Sequence, residues 1–207
     1  MELGLADIIM ILFVTIGPIK ATIALGTFTA GADSGLRRAI ALRAVLVGTI
    51  VSIVFVLFGE VLLQIFHVSL PALKLAGGLI LTIFAIGMIF SDHEKQGGEL
   101  PAPTLALAVY PIAVPMLATP QGLVAIVALT AAAQDFGQVL AIGAIVLVIM
   151  AFNAVVLVMA DKVIKFLGPA VLQVIAKVFG VLLTALAMQL FILGLQDLGL
   201  IALGAGH

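Results

Sequence analysis

The sequence predicts an all-α membrane protein of six transmembrane helices, arranged as two inverted three-helix repeats in which helices one and four are broken. Three observations predict it. Hydrophobic residues make up 64% of the 207 and charged residues only 9%, with a mean hydropathy of +1.41, so a water-facing surface could not be covered with charge. Six stretches are apolar over the roughly 20 residues that a helix needs to cross a hydrocarbon core. The second half of the chain overlies the first at a nearly constant offset.

The six stretches run Leu5–Ala30, Ala39–Leu63, Ala72–Phe90, Thr104–Ala133, Val139–Ala160 and Ala170–Gln196. The opening "MELGLADIIM" carries two acids and no Lys or Arg, which makes a poor secretion signal and reads as a retained span. Between the spans lie "GADSGLRR", "QIFHVSLP", "SDHEKQGGELPAP", "QDFGQ" and "DKVIKFLGP". Only the third is long and polar, and it reads as a hinge. Residues 1–91 are then the first repeat, 92–103 a connecting loop, and 104–207 the second repeat with a short tail. Arg37, Arg38, Lys95, Lys162 and Lys165 all fall in loops one, three and five. By the positive-inside rule those loops of a multi-pass membrane protein are cytoplasmic and both termini are outside.

At an offset of 102 residues, "GGLILTIFAIGM" (Gly77–Met88) overlies "FGVLLTALAMQL" (Phe179–Leu190), and Gly17-Pro18 overlies Thr119-Pro120. An offset of 101 puts Glu60 over Asp161. Three spans per half is an odd number, so the second half enters the membrane from the opposite side. The halves are then related by a pseudo-two-fold axis in the membrane plane, the architecture of alternating access.

Helix one is interrupted at "TIGPIKATI". Pro18 lacks an N–H and clashes with the preceding turn, and Gly17 makes an irregular backbone cheap. The span divides into half-helices Leu5–Ile16 and Pro18–Ala30, with proline at the first position of the second. The free N–H groups near Ile19 and Lys20 and the positive dipole end then face mid-membrane, where an anion would satisfy them. Helix four repeats the device in "YPIAVPMLATPQGLVAI": Thr119 can cap a half-helix beginning Pro120-Gln121, and Gly122 admits a close neighbour. The two interruptions are expected to meet near the midplane. A simple kink is the alternative reading of each proline on its own.

Lys20 lies deep in helix one, where a lysine costs about 3 kcal/mol on insertion scales, so it should face the protein interior. Two readings stand open: it binds a substrate carboxylate or handles a proton, or it is structural, snorkelling or paired with a carboxylate such as Asp7. Asn153, in mid-helix five, either reaches a ligand or bonds across helices. Thr82, Thr184 and Gln189 are expected to join helices, and Ala76, Gly77 and Gly78 to let them approach closely. Lys74, Glu60, Asp161 and Lys162 are near span ends, and Lys177 lies two turns inside helix six. His67 and His93 are isolated and make no metal site.

These motifs resemble the MarC-type integral membrane family of neutral amino-acid transporters, in the LysE-like group. The resemblance is carried by "GPIKATIALGTFTAG", "FHVSLPALKLAGGLILTIFAIGMIF", "YPIAVPMLATPQGLVAI" and "KVFGVLLTALAMQLFILGL", and spans nearly the whole chain. It implies six helices, two inverted repeats and the export or uptake of small solutes, amino acids such as glycine and alanine among them. Family members usually read N-P-x-G in helix one, where this chain has Gly17, Pro18, Ile19 and Lys20. They usually read A-G-P-G in helix four, where it has Ala118, Thr119, Pro120 and Gln121. A more acidic substrate is one meaning of the added cation.

The expected function is secondary transport of small amino acids or related carboxylates, with a proton or sodium ion as possible partner and no cofactor. The substrate-binding residues would be Gly17, Pro18, Ile19, Lys20, Thr119, Pro120, Gln121, Gly122 and Asn153. A small-ion channel and a non-transporting structural membrane protein are the alternatives. The net charge of −1 argues against a nucleic-acid partner, and the absence of Cys excludes disulfides and thiolate metal centres. Without an ATP-binding motif a primary pump would need a separate subunit, and without a mid-membrane cluster of His, Asp, Glu or Ser no enzyme is expected. A homo-oligomer is compatible with the sequence.

Overall fold

The computed structural model describes residues 5–29, 31–90 and 103–201. The first span starts as α1 (Leu5–Ile16), stops for one residue, and resumes as α2 (Pro18–Phe28). Gly17 is extended there, at φ −74° and ψ 168°. A Cβ on Gly17 would run into the carbonyl oxygen of Phe13, so the break needs glycine for room rather than for its dihedral freedom. Pro18 occupies the first helical position, where a missing N–H costs nothing.

The second span, α3 (Ser34–Ile65), begins five residues earlier than expected because Asp33 caps it: its carboxylate accepts from the N–H groups of Gly35 (2.8 Å) and Leu36 (3.0 Å). α4 (Leu70–Phe90) is the third. The fourth enters as a short 3-10 stretch, Leu105–Ala108, and a widened coil, Val109–Leu117. Within that coil Tyr110 and Val114 are extended, each directly before a proline whose ring disfavours the helical region for its predecessor. α5 (Pro120–Ala131) then leaves at 54° to this lead-in. α6 (Phe136–Val158), capped by Asp135, and α7 (Ala160–Asp197) complete the chain.

One boundary is corrected. "DKVIKFLGP" reads as a connection, yet α7 already runs through it and is interrupted only at Gly168 (φ 74°, ψ 157°), in the region that favours glycine. Its Lys residues sit in sequence among Val, Ile, Phe and Leu that suit a helical turn as well as a loop. Residues 91–102, which hold most of the expected connecting loop with His93 and Lys95, lie outside the described residues.

Among the described residues five helices are long and apolar enough to span a bilayer, and a sixth span results when Leu105–Leu117 and α5 are taken together. α1 packs on α5, α2 on the Leu105–Leu117 lead-in, α3 on α6, and α4 on α7. Leu12, Ile16, Leu25, Ile40, Ile112, Leu117 and Ile126, all fully buried, form the main core around the broken spans. A second seam joins α4 to α7 through Leu81, Ala85, Leu183 and Ala187.

Small residues set the approach distances, as lipid-immersed helices require. A Cβ on Gly78 would lie 2.9 Å from the Ala187 carbonyl oxygen, and one on Gly77 would collide with Val124. Thr82 and Thr184 do not bridge helices as expected. Their hydroxyls donate to the carbonyls of Gly78 (2.8 Å) and Gly180 (2.9 Å), four residues back in their own helices.

Lys74 at the start of α4 pairs with Asp197 at the end of α7 (2.6 Å), and the start of α1 shares a hollow with the end of α5. These ends therefore lie on one side of the molecule. Arg37, Arg38 and Lys162, at the starts of α3 and α7, lie toward the other.

Candidate functional site

The two breaks meet. Thr119, the N-cap of α5, accepts from the N–H of Gly122 (3.0 Å) and donates its hydroxyl to the carbonyl of Thr15 (2.9 Å), in the last turn of α1. From α6, Asn153 donates its side-chain N–H to the carbonyl of Ile16 (2.7 Å), the residue before Gly17. A Cβ on Gly122 would run into Ile16 Cγ2 and lie 2.7 Å from Thr119 Oγ1, so glycine there lets α5 close on the end of α1. In an unbroken helix the carbonyls of Thr15 and Ile16 would accept from the N–H groups of Ile19 and Lys20; the extended backbone at Gly17 removes both partners. Side chains from the other half take up both carbonyls.

Of the predicted residues, Gly17, Thr119, Gly122 and Asn153 are thus gathered in one buried knot. Pro18 and Pro120 start the two half-helices beside it. Ile19 and Lys20 line a separate hollow of about 20 Å³ together with Gly17, Pro18, Phe13, Val14 and Leu183. That volume admits roughly one water-sized particle. Lys20 is buried, as its depth in the span demands. The two half-helix N-termini differ. α5 is capped by its own Thr119, whereas Gly17 has no side chain to cap α2.

Several buried polar atoms near the breaks have no hydrogen-bond partner among the described residues: both amide atoms of Gln121, Oδ1 of Asn153, and the hydroxyls of Thr22 and Ser52. Each such group costs about 1–3 kcal/mol in an apolar interior, which makes the set a candidate ligand surface. Sequence reasoning misses Ser52. A signal for it exists, because the offset of 101 that aligns Glu60 with Asp161 also aligns Ser52 with Asn153. A lone serine in a long apolar helix draws no notice without that alignment.

The two ends of the bundle are built differently. A cavity of about 580 Å³ is lined by Leu5 and Ile8 of α1, by Leu129 and the residues that follow α5 as far as Gln134, and by one face of α6 that includes Gln138, Ala141 and Ile145. One or two turns deeper on the same helices lie Leu12, Ile126 and Ile149, all buried, and then the knot. At the opposite end Arg37 ties α3 to the end of α2. Its Nε donates to Thr29 Oγ1 and its Nη2 to the Thr29 carbonyl, each at 2.8 Å.

The family model for MarC family integral membrane proteins matches residues 4–198. A UPF0056 membrane protein of Methanocaldococcus jannaschii is 26% identical over 89% of this chain and 92% of its own length. One of Pyrococcus horikoshii is 30% identical over 76% of each chain. The UPF0056 inner membrane protein YhgN of Escherichia coli K12 is 28% identical over 77% of this chain and 80% of its own. No solved structure matches. With its six candidate spans and a family match over nearly its whole length, the chain belongs to the MarC family of multi-pass integral membrane proteins.

Proposed function

We propose that this protein is a secondary transporter of small polar solutes, small amino acids or related carboxylates, working by alternating access in a prokaryotic inner membrane. The observation that carries the reading is the junction of the two breaks: one half's Thr119 hydroxyl on the other half's Thr15 carbonyl at 2.9 Å, amid buried polar atoms that lack partners among the described residues. Interrupted helices that meet in the middle of a bundle are how transporters present backbone and side-chain groups to a solute within lipid. The pairing of α1 with α5, of α2 with the Leu105–Leu117 lead-in, of α3 with α6 and of α4 with α7 supports two inverted repeats, since every pairing maps onto itself or another when the halves are exchanged.

The uncapped start of α2, beside Lys20, suits a carboxylate. Unpartnered carbonyl oxygens on Asn153 and Gln121 suit an amine. The open cavity on the side of the α1 start and the Arg37–Thr29 tie at the far end fit a state open to one face only. By the distribution of Arg and Lys that open face is the outer one, with a proton or sodium gradient as the driving force.

The test is flux into proteoliposomes offered radiolabelled glycine, alanine, serine, aspartate or small organic acids, with proton and sodium gradients imposed one at a time. Saturable, gradient-dependent uptake that falls in Pro18→Ala and Pro120→Ala is expected. Non-saturating conductance would instead indicate a channel, and no flux of any solute would overturn the reading.

A further inference from the structure

We propose that Ser52 is a solute-binding residue, presented at the helix-four break in the place that Asn153 holds at the helix-one break. Among the described hydroxyls within helices, the buried Thr22 and Ser52 do not donate to the carbonyl four residues back, whereas Thr15, Thr27, Thr49, Thr82, Thr130 and Thr184 all do. Serine in a transmembrane helix ordinarily does the same. Ser52 is fully buried in the middle of α3, and its hydroxyl takes no partner among the described residues.

Its surroundings place it at the second break. One turn before it, Gly48 lies so close to the end of the lead-in that a Cβ would be 3.1 Å from Leu117 Cβ and 3.7 Å from the Ala118 nitrogen. One turn after it, Val56 comes against Gly143 of α6. The stripe Gly48, Ser52, Val56 therefore faces helix four and α6, the elements that bound the junction. Ser52 and Asn153 occupy matching positions in the two halves, each turned toward the other half's break. Asn153 has committed its N–H to Ile16 and keeps an acceptor, while Ser52 keeps both a donor and an acceptor. A small carboxylate or amine solute would satisfy the hydroxyl, and this assignment rests on the transporter reading above.

The chain has no cysteine, so a single introduced thiol reports its own environment without further engineering. Ser52→Cys is expected to react with methanethiosulfonate-ethylammonium in proteoliposomes, and excess glycine or alanine to slow that reaction. Ala85→Cys, in the dry seam between α4 and α7, should remain unreactive. Ser52→Ala should raise KM for the transported solute about three- to tenfold with little change in kcat, the loss of one hydrogen bond, and Ser52→Thr should restore most of it. A Ser52→Cys thiol as inert as the Ala85→Cys thiol, or one whose reaction ignores a solute that the same vesicles transport, would overturn the assignment. Should the wild type carry none of the amino acids and organic acids offered above, the transporter reading falls, and the reactivity of the Ser52→Cys thiol still decides whether this position faces a polar cavity.

Discussion

Thr119→Val tests the junction on which the site depends. Valine matches threonine in shape, so no cavity opens, and only the hydroxyl is lost. That hydroxyl caps α5 by accepting from Gly122 N–H and joins the two halves by donating to the Thr15 carbonyl. Loss of an N-cap costs about 1 kcal/mol. Loss of a hydrogen bond between membrane spans costs about 0.6–1.7 kcal/mol. Thr119 is fully buried, so neither orphaned group can turn to water, and the sum is about 2–3 kcal/mol. At about 2–4 °C per kcal/mol for a domain of this size, the melting temperature in detergent should fall by about 4–12 °C. Flux per molecule should fall with it, because the two breaks are no longer held in register. Thr119→Ser keeps the hydroxyl and should restore both. A Thr119→Val protein that melts and transports like the wild type, or a serine variant that behaves like valine, would refute the reasoning.

Three further outcomes are expected. Arg37→Gln removes the two bonds to Thr29 that close the end opposite the cavity; with a single cysteine introduced by Ala141→Cys, on the cavity wall, reaction with an impermeant thiol reagent should slow as molecules shift away from the open state. Gly78→Val drives a side chain into the Ala187 carbonyl and Phe191, and overpacking of this kind costs about 1–3 kcal/mol or more; a lowered melting temperature should show it, while Gly87→Ala, with open space at its Cβ, should not. Lys74→Ala should change stability by less than about 1 kcal/mol, because the Lys74–Asp197 pair is partly exposed, and salt titration of the wild type should give a similarly small effect.

Much of the architecture is legible in the chain because its causes are local. Apolar runs of span length can only be satisfied as helices in lipid, where every backbone group must bond within the element. Proline interrupts that ladder wherever it falls, so the one-residue break at Gly17 and the irregular entry around Pro111 and Pro115 can be placed from the sequence. Thr119 can likewise be named as a cap from its place before Pro120. The start of α7 cannot, because Lys162 and Lys165 suit a loop and a helix equally.

What only tertiary structure decided is which groups face one another. Sequence placed Thr119 and Asn153 in different helices of the second half; folding brought both onto carbonyls at the end of α1, some hundred residues away along the chain. It turned Thr82 and Thr184 back on their own helices, left the hydroxyl of Ser52 without a partner among the described residues, and placed a cavity at one end of the bundle and the Arg37–Thr29 bonds at the other. The physical reason is that a side chain's partner depends on helix rotation and approach distance. Both are set by the fit of glycines such as Gly48, Gly78 and Gly122 against bulky neighbours on other helices, and no local rule of periodicity or capping contains that fit.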